Sequence, residues 1–223
     1  MLRFCLPCII MIISFYSQAG IEIGGTRLIY NSNSRQVSIS VRNPDDTPYL
    51  IQAWVTKENT STDVDNNFIA TPPLFRIEPH SQSEVRLVYT GKNLPTDRES
   101  MFWLSIKSIP SSQNNDVNKL LVSVKSMVKL FYRPAGLNGS PGDAYEKLTF
   151  IRNGDKFDVS NPTPYYISIY DLSIGGVSIK KPITLSPLSK ESFPLTSKTS
   201  SQVSWQSITD FGGISERKTT NFK

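Results

Sequence analysis

Apolar and polar residues alternate with a period of two along most of this chain. Val37, Ile39 and Val41 share one face of a stretch that stops at the turn Asn43-Pro44-Asp45-Asp46. Ile51, Ala53 and Val55 alternate with Gln52 and Trp54. Val85, Leu87 and Tyr89 lead to a break at Gly91, and Phe102, Leu104 and Ile106 lead to Pro110. Successive side chains of a strand point to opposite faces, so each stretch offers one apolar face to a core and one polar face to water. No segment shows the 3.6-residue apolar repeat of a long amphipathic helix. Many short strands with turn signals between them predict an all-β fold of antiparallel sandwiches.

The pattern divides once. Residues 135–142, Ala-Gly-Leu-Asn-Gly-Ser-Pro-Gly, are the best linker candidate. Strands resume beyond them: "FIRNGDKFDV" reads as a hairpin turning at Asn153-Gly154, and "YYISIYDLSI" as a strand entered through Asn161-Pro162-Thr163-Pro164. The expected architecture is two sandwich domains, residues 20–135 and 142–223, without the Cys…Trp…Cys signature of antibody domains.

The longest apolar stretch poses a problem. Residues 119–132 read as one strand of roughly 46 Å, where an ordinary strand covers about 17–20 Å. Leu120, Val122, Val124, Val128, Leu130 and Tyr132 share one face, interrupted only by Ser126. Ser123, Lys125, Lys129 and Arg133 lie on the other, joined by Leu121, Met127 and Phe131. One sandwich can hardly cover so long an apolar face. Either the strand bends and is shared between two sheets, or part of its face is meant for another protein's core.

Composition narrows the compartment. Arg3, an apolar run from Leu6 to Tyr16, and Ser17-Gln18-Ala19 read as a cleavable secretory signal over residues 1–19, too short to stay in a bilayer. Nothing later is apolar enough for a membrane helix, so an exported protein without membrane insertion is expected. Both cysteines, Cys5 and Cys8, fall in that leader, so the exported chain must rest on apolar burial rather than disulfides. A net charge of +5 with no block of Lys and Arg gives nucleic-acid binding little support.

The chemistry of known catalytic sites is poorly represented. The one histidine, His80, sits in the turn "EPHSQ" and reads as an exposed loop residue. A zinc site around it would need mostly carboxylates, and a Ser-His-Asp triad would lack its elbow motif. "DVDNN", residues 63–67, begins like a calcium loop but has Phe68 where glycine is required and Leu74 where glutamate is. Ser126 and Lys129 have the S-x-x-K spacing of penicillin-recognising enzymes, but the partner motifs are missing, and residues three apart on a strand face opposite ways. No enzymatic activity, metal or cofactor is expected.

Six segments occur in a telling order: "GGTRLIY" (24–30), "TPPLFRIEP" (71–79), "DRESMFWLSI" (97–106), "VKLFYRP" (128–134), "NPTPYY" (161–166) and "ITDFGG" (208–213). Together they resemble the PapD-like periplasmic chaperones of fimbriae assembled by the chaperone–usher route, over nearly the whole exported chain. The resemblance implies two immunoglobulin-like sandwiches joined by a short linker in a boomerang-like arrangement. It further implies that Arg27 and Lys129 anchor the C-terminal carboxylate of a fimbrial subunit through charge-assisted hydrogen bonds. Leu120, Val122 and Val124 match the alternating residues that such chaperones insert into an incomplete pilin sandwich. Glu99, Arg133 and Asp210 match an interdomain ionic network, which as a surface feature would fix the domain angle at little energetic worth. The short gap between Pro110 and Lys119 resembles the short-loop subclass, which serves rod-like fimbriae. The implied partners are pilin subunits and an outer-membrane usher, with neither ATP nor metal required, and the apolar strand also leaves room for self-association of the free protein.

Two other readings remain in play. A secreted pilin or adhesin would also be all-β, but usually carries a cysteine pair and one truncated domain. A carbohydrate-binding sandwich would need clustered exposed aromatics, and Trp54, Trp103 and Trp205 are scattered.

Overall fold

The computed structural model describes residues 20–61, 63–91, 93–111, 121–195 and 200–223. The alternating stretches are strands, and their apolar faces meet in two separate cores. The first sandwich contains β1 (Glu22–Ile23), β2 (Arg27–Asn31), β3 (Val37–Arg42), β4 (Tyr49–Thr56), β5 (Phe68–Thr71), β6 (Leu74–Ile77), β7 (Gln82–Tyr89), β8 (Ser100–Pro110) and β9 (Val124–Arg133). One sheet runs β1-β3-β7-β5 and the other β2-β9-β8-β4-β6. Between them lie Ile39, Val41, Ile51, Ala53, Val55, Val85, Leu87, Phe102, Leu104 and Ile106, the residues picked out by alternation.

The opening strand changes sheets. β1 pairs antiparallel with β3, whereas β2 pairs in parallel with β9. The switch falls at Gly24-Gly25, where the Gly24 N–H donates to the Ser40 carbonyl at 2.9 Å. A Cβ on Gly24 would stand 2.1 Å from Ser40 Oγ and 3.3 Å from Ser40 Cβ, so a larger residue would have to displace the Ser40 side chain. The crossing sets β2 beside β9 with Arg27 opposite Lys129.

The second sandwich contains β10 (Thr149–Asn153), β11 (Lys156–Asn161), β12 (Ile167–Ile174), β13 (Val177–Ser178), β14 (Ile183–Leu185), β15 (Ser189–Pro194), β16 (Gln202–Ser207) and β17 (Lys218–Asn221). Its sheets run β10-β11-β15 and β13-β12-β16-β17, with β14 alongside β12. Phe150, Phe157, Leu172, Ile174, Leu185 and Trp205 fill the core. A 3₁₀ turn, Ala144–Lys147, caps it, and the Trp205 indole N–H donates to the Tyr145 carbonyl at 2.9 Å. The "RNGDK" hairpin forms one residue later than the sequence indicates. Asn153 pairs with Lys156, so Gly154 and Asp155 are the central residues, and Gly154 takes the positive φ of +61°.

The same corner is built twice. Asn43 Nδ2 donates to the carbonyls of Thr47 and Glu78, and Asn43 Oδ1 accepts from the Asp45 N–H. Asn161 repeats this with the carbonyls of Tyr165 and Ser186 and the N–H of Thr163. Both asparagines are buried, and each saturates a loop backbone that proline prevents from continuing a ladder.

β9 begins at Val124, short of the expected start near residue 119. Its antiparallel partner β8 ends at Pro110, the last register pair is Ser108 with Val124, and residues 121–123 have no ladder to join. Residues 112–120, on which the short-loop expectation and the assignment of Leu120 rest, lie outside the described residues, as does the expected signal segment 1–19.

Candidate functional site

The C-terminal half of β9 is covered on both sides. Val128 and Leu130 lie in the first core, 3 % and 0 % exposed. Phe131, on the opposite face, is just as buried but lies against the second sandwich, its ring 5.7 Å from that of Tyr166. Lys129 shares this face. A lysine can therefore interrupt an apolar run here because it points to a junction between domains, not to a core.

Its ammonium reaches across that junction. Nζ donates to Thr184 Oγ1 at 2.5 Å and to Ser168 Oγ at 3.3 Å, and lies 5.7 Å from the centre of the Trp103 ring. Arg27, its register neighbour on β2, donates from Nη1 to the Ile208 carbonyl at 3.0 Å. The buried Nε of Arg27 has no hydrogen-bond partner. Glu99 and Asp210 line the same cleft as Arg27, but both are engaged by Arg133. Burial first, and the neighbouring Arg27 charge second, bring the Lys129 pKa down to about 8. Burial also pulls the Arg27 guanidinium below its ordinary value, against the attraction of Asp210. Two cations desolvated side by side are held at a cost, which an anion placed between them would relieve.

Glu99, Arg133 and Asp210 are in contact, largely away from the surface. Arg133 Nε donates to Glu99 Oε1 at 2.6 Å, and its Nη1 and Nη2 reach the two Asp210 oxygens at 2.6 and 3.0 Å. Glu99 Oε2 accepts from the Tyr166 N–H at 2.7 Å, and the Glu99 N–H donates to the Pro164 carbonyl at 2.9 Å. The Glu99 side chain is 1 % exposed and that of Arg133 16 %. Burial pushes the Glu99 carboxyl up while Arg133 and the Tyr166 N–H pull it back. Burial works against the Arg133 charge, but Asp210 and Glu99 hold its pKa above the ordinary value. The low worth of a surface network does not apply. Here Glu99 is buried, Arg133 nearly so and Asp210 only partly exposed, and the buried pair is costly to separate.

Among the described residues, the N-terminal half of the apolar face has no such cover. Val122 and Val124 are 61 % and 54 % exposed. With Ile23, Tyr49, Ile106 and Ser126 they line an open cavity at the edge of the first sandwich.

The remaining candidates stay apart. His80 is exposed and contacts only Asp46 Oδ1, at 2.8 Å, among the contacts described for it. Among the described residues, no three His, Cys, Asp or Glu side chains converge as a metal site would need, and no helix is long and apolar enough to cross a membrane. Trp205 is in the second core, while Trp54 and Trp103 are diagonal neighbours on the outer face of the first sandwich, with Lys125 over Trp54 and Lys129 over Trp103. Sequence reasoning missed Ser168, Thr184 and the Ile208 carbonyl. The only signal for the hydroxyls was a polar residue between core isoleucines on β12 and between Ile183 and Leu185 on β14.

Comparison with known proteins covers both sandwiches. Residues 20–138 match the family model of the pili and flagellar-assembly chaperone PapD N-terminal domain, and residues 143–219 that of the pili assembly chaperone PapD C-terminal domain. The chaperone protein FimC of Escherichia coli is 36 % identical over 213 residues, covering 94 % of this chain and 87 % of FimC. The chaperone protein FimB/FhaD of Bordetella pertussis is 36 % identical over 211 residues, covering 89 % and 86 %. Among solved structures, the Salmonella enterica SafA pilin in complex with the SafB chaperone matches with a TM-score of 0.83 at 32 % identity, covering 91 % of this chain and 96 % of the matched one.

Proposed function

Because the chain belongs to the PapD family of pili assembly chaperones, we propose that it captures fimbrial subunits and passes them to an outer-membrane usher. In this reading residues 1–19 direct export to the periplasm, and residues 20–135 and 142–223 are the two domains. Val122 and Val124, continued by Leu120, add a strand to a subunit that lacks one. A subunit of that kind exposes both core and an unpaired edge, and a donated strand supplies backbone hydrogen bonds and apolar side chains at once. Arg27 and Lys129 take the subunit's terminal carboxylate. The action is binding alone, without catalysis, ATP or metal. In the absence of a subunit the same strand is available for self-association.

One observation carries this reading: an apolar stretch whose Val122 and Val124 are exposed continues into β9, where Lys129 stands opposite Arg27 of β2 and, among the described residues, neither cation forms an ion pair. The chaperone match over both domains disfavours a structural pilin. Co-expression with a subunit tests the proposal. The wild-type protein should purify from periplasm with the subunit at about one to one. The double variant Arg27→Ala/Lys129→Ala should stay folded and exported yet lose it, since each change removes charged hydrogen bonds worth about 1.5–3 kcal/mol. Normal subunit recovery by the double variant would sink the anchor assignment.

A further inference from the structure

Two register pairs face each other across the cleft. On the first sandwich Arg27 and Lys129 are opposite one another on β2 and β9. On the second, Ser168 and Thr184 are opposite one another on β12 and β14. The neighbours of the hydroxyl residues along each strand, Ile167, Ile169, Ile183 and Leu185, point into the second core, which turns both hydroxyls outward to the Lys129 ammonium. We infer that Ser168 and Thr184 form the second half of the carboxylate site, positioning Lys129 without neutralising it and donating their own protons to the incoming carboxylate. This rests on the reading of Arg27 and Lys129 as a carboxylate anchor.

The donor count supports it. An ammonium has three N–H donors, and two are directed at the hydroxyl oxygens, leaving one. A hydroxyl that accepts from the ammonium keeps its own proton to give. The remaining ammonium N–H and the two hydroxyls thus put three donors together at this point of the junction, with the charge of Arg27 beside them. The choice of acceptor matters as much. A carboxylate at position 168 or 184 would hold the ammonium equally well but would be a resident counter-ion and would fill the site. Neutral oxygens fix the geometry and leave the charge unspent. Around the ammonium, β2 contributes the charge of Arg27 and β8 contributes Trp103, which carries no charge, while Asp210 acts on Arg27 and is paired with Arg133. The titration of Lys129 is therefore set first by burial and then by Arg27.

The test uses the full exported protein and one synthetic peptide of alternating apolar residues, made with either a free C-terminal carboxylate or an amide. Wild type should prefer the acid by about tenfold or more, and the preference should fade as Lys129 deprotonates above about pH 8. Ser168→Ala/Thr184→Val should lower the preference several-fold and move its loss to lower pH, because the ammonium has lost two acceptors. Ser168→Thr/Thr184→Ser, which keeps both hydroxyls, should behave as wild type. Ser168→Asp should abolish the preference while leaving the unfolding temperature unchanged or higher, as a self-occupied site would. A wild-type preference and pH profile in Ser168→Ala/Thr184→Val would overturn this inference alone. Retained acid preference in Arg27→Ala/Lys129→Ala would instead overturn the anchor on which it rests.

Discussion

The two halves of the strand that ends the first sandwich carry the same alternation and meet opposite surroundings. At one end Val128 and Leu130 are sealed in a core whose mouth is closed by the rings of Tyr30, Phe68, Tyr89 and Tyr132, and the reverse face is sealed by the second sandwich. At the other end Val122 and Val124 stand beside an open cavity with more than half their surface in water. Period-two patterning says which face of a strand is apolar. It does not say what covers that face. A protein that keeps a contiguous apolar patch exposed maintains it against solubility, and such patches mark places where another molecule belongs.

The comparison can be broken most forcefully at the sealed end. Arg133→Ala would leave Glu99 with a carboxylate in a dry site and Asp210 without its bidentate partner, and should cost about 3–5 kcal/mol in urea unfolding of the isolated protein. A loss below about 1 kcal/mol would mean that water reaches the network and that the seal is not real. Next comes the core itself. Leu130→Ala should cost about 2–5 kcal/mol by cavity formation, whereas Val122→Ser should stay within about 0.5 kcal/mol of wild type while impairing subunit capture. Comparable destabilisation by both substitutions would show that the open end is buried in solution, and the distinction between the halves would fall.

How much of this was legible beforehand differs by level. The core followed from alternation alone, since Ile51, Ala53, Val55, Phe102, Leu104 and Ile106 sit where period two puts them. The turn before β12 was legible from Asn161-Pro162, though not that Asn161 would be buried and bridge to Ser186. The cation pair was named only through resemblance to a family, because parallel pairing between the first strand and the last of a sandwich leaves no local trace. The nearby Gly24-Gly25 marks only the close passage of the chain past the Ser40 side chain, not the pairing itself. Ser168 and Thr184 escaped notice for a related reason. Small hydroxyl residues on the outward face of a strand look like any solvated position until a second domain is set against them. The burial of Glu99 was missed likewise: its dryness comes from Pro164 and Tyr166, far away in sequence.

The smallest expected effect is the titration of Lys129 itself. Its pKa in the folded protein is about 8, against an ordinary 10.5. Between these values the unfolded chain holds the proton more firmly than the folded one, so stability rises with pH across this window. Below about pH 8 the full cost of keeping the ammonium desolvated beside Arg27 is present, and by about pH 10.5 it has been relieved. Lys129→Met keeps a side chain of similar length and has no proton to lose, so the wild-type stability should improve relative to this variant as pH climbs through the window. Groups elsewhere titrate alike in both proteins and cancel in the difference. Because the ammonium keeps some contact with water, the change should stay below about 1 kcal/mol. It is read from paired urea titrations at closely spaced pH values. A difference that stays flat from pH 8 to 10.5 would mean that the cleft is open to water in solution, so that the two ends of β9 differ in their apolar cover but not in their electrostatics.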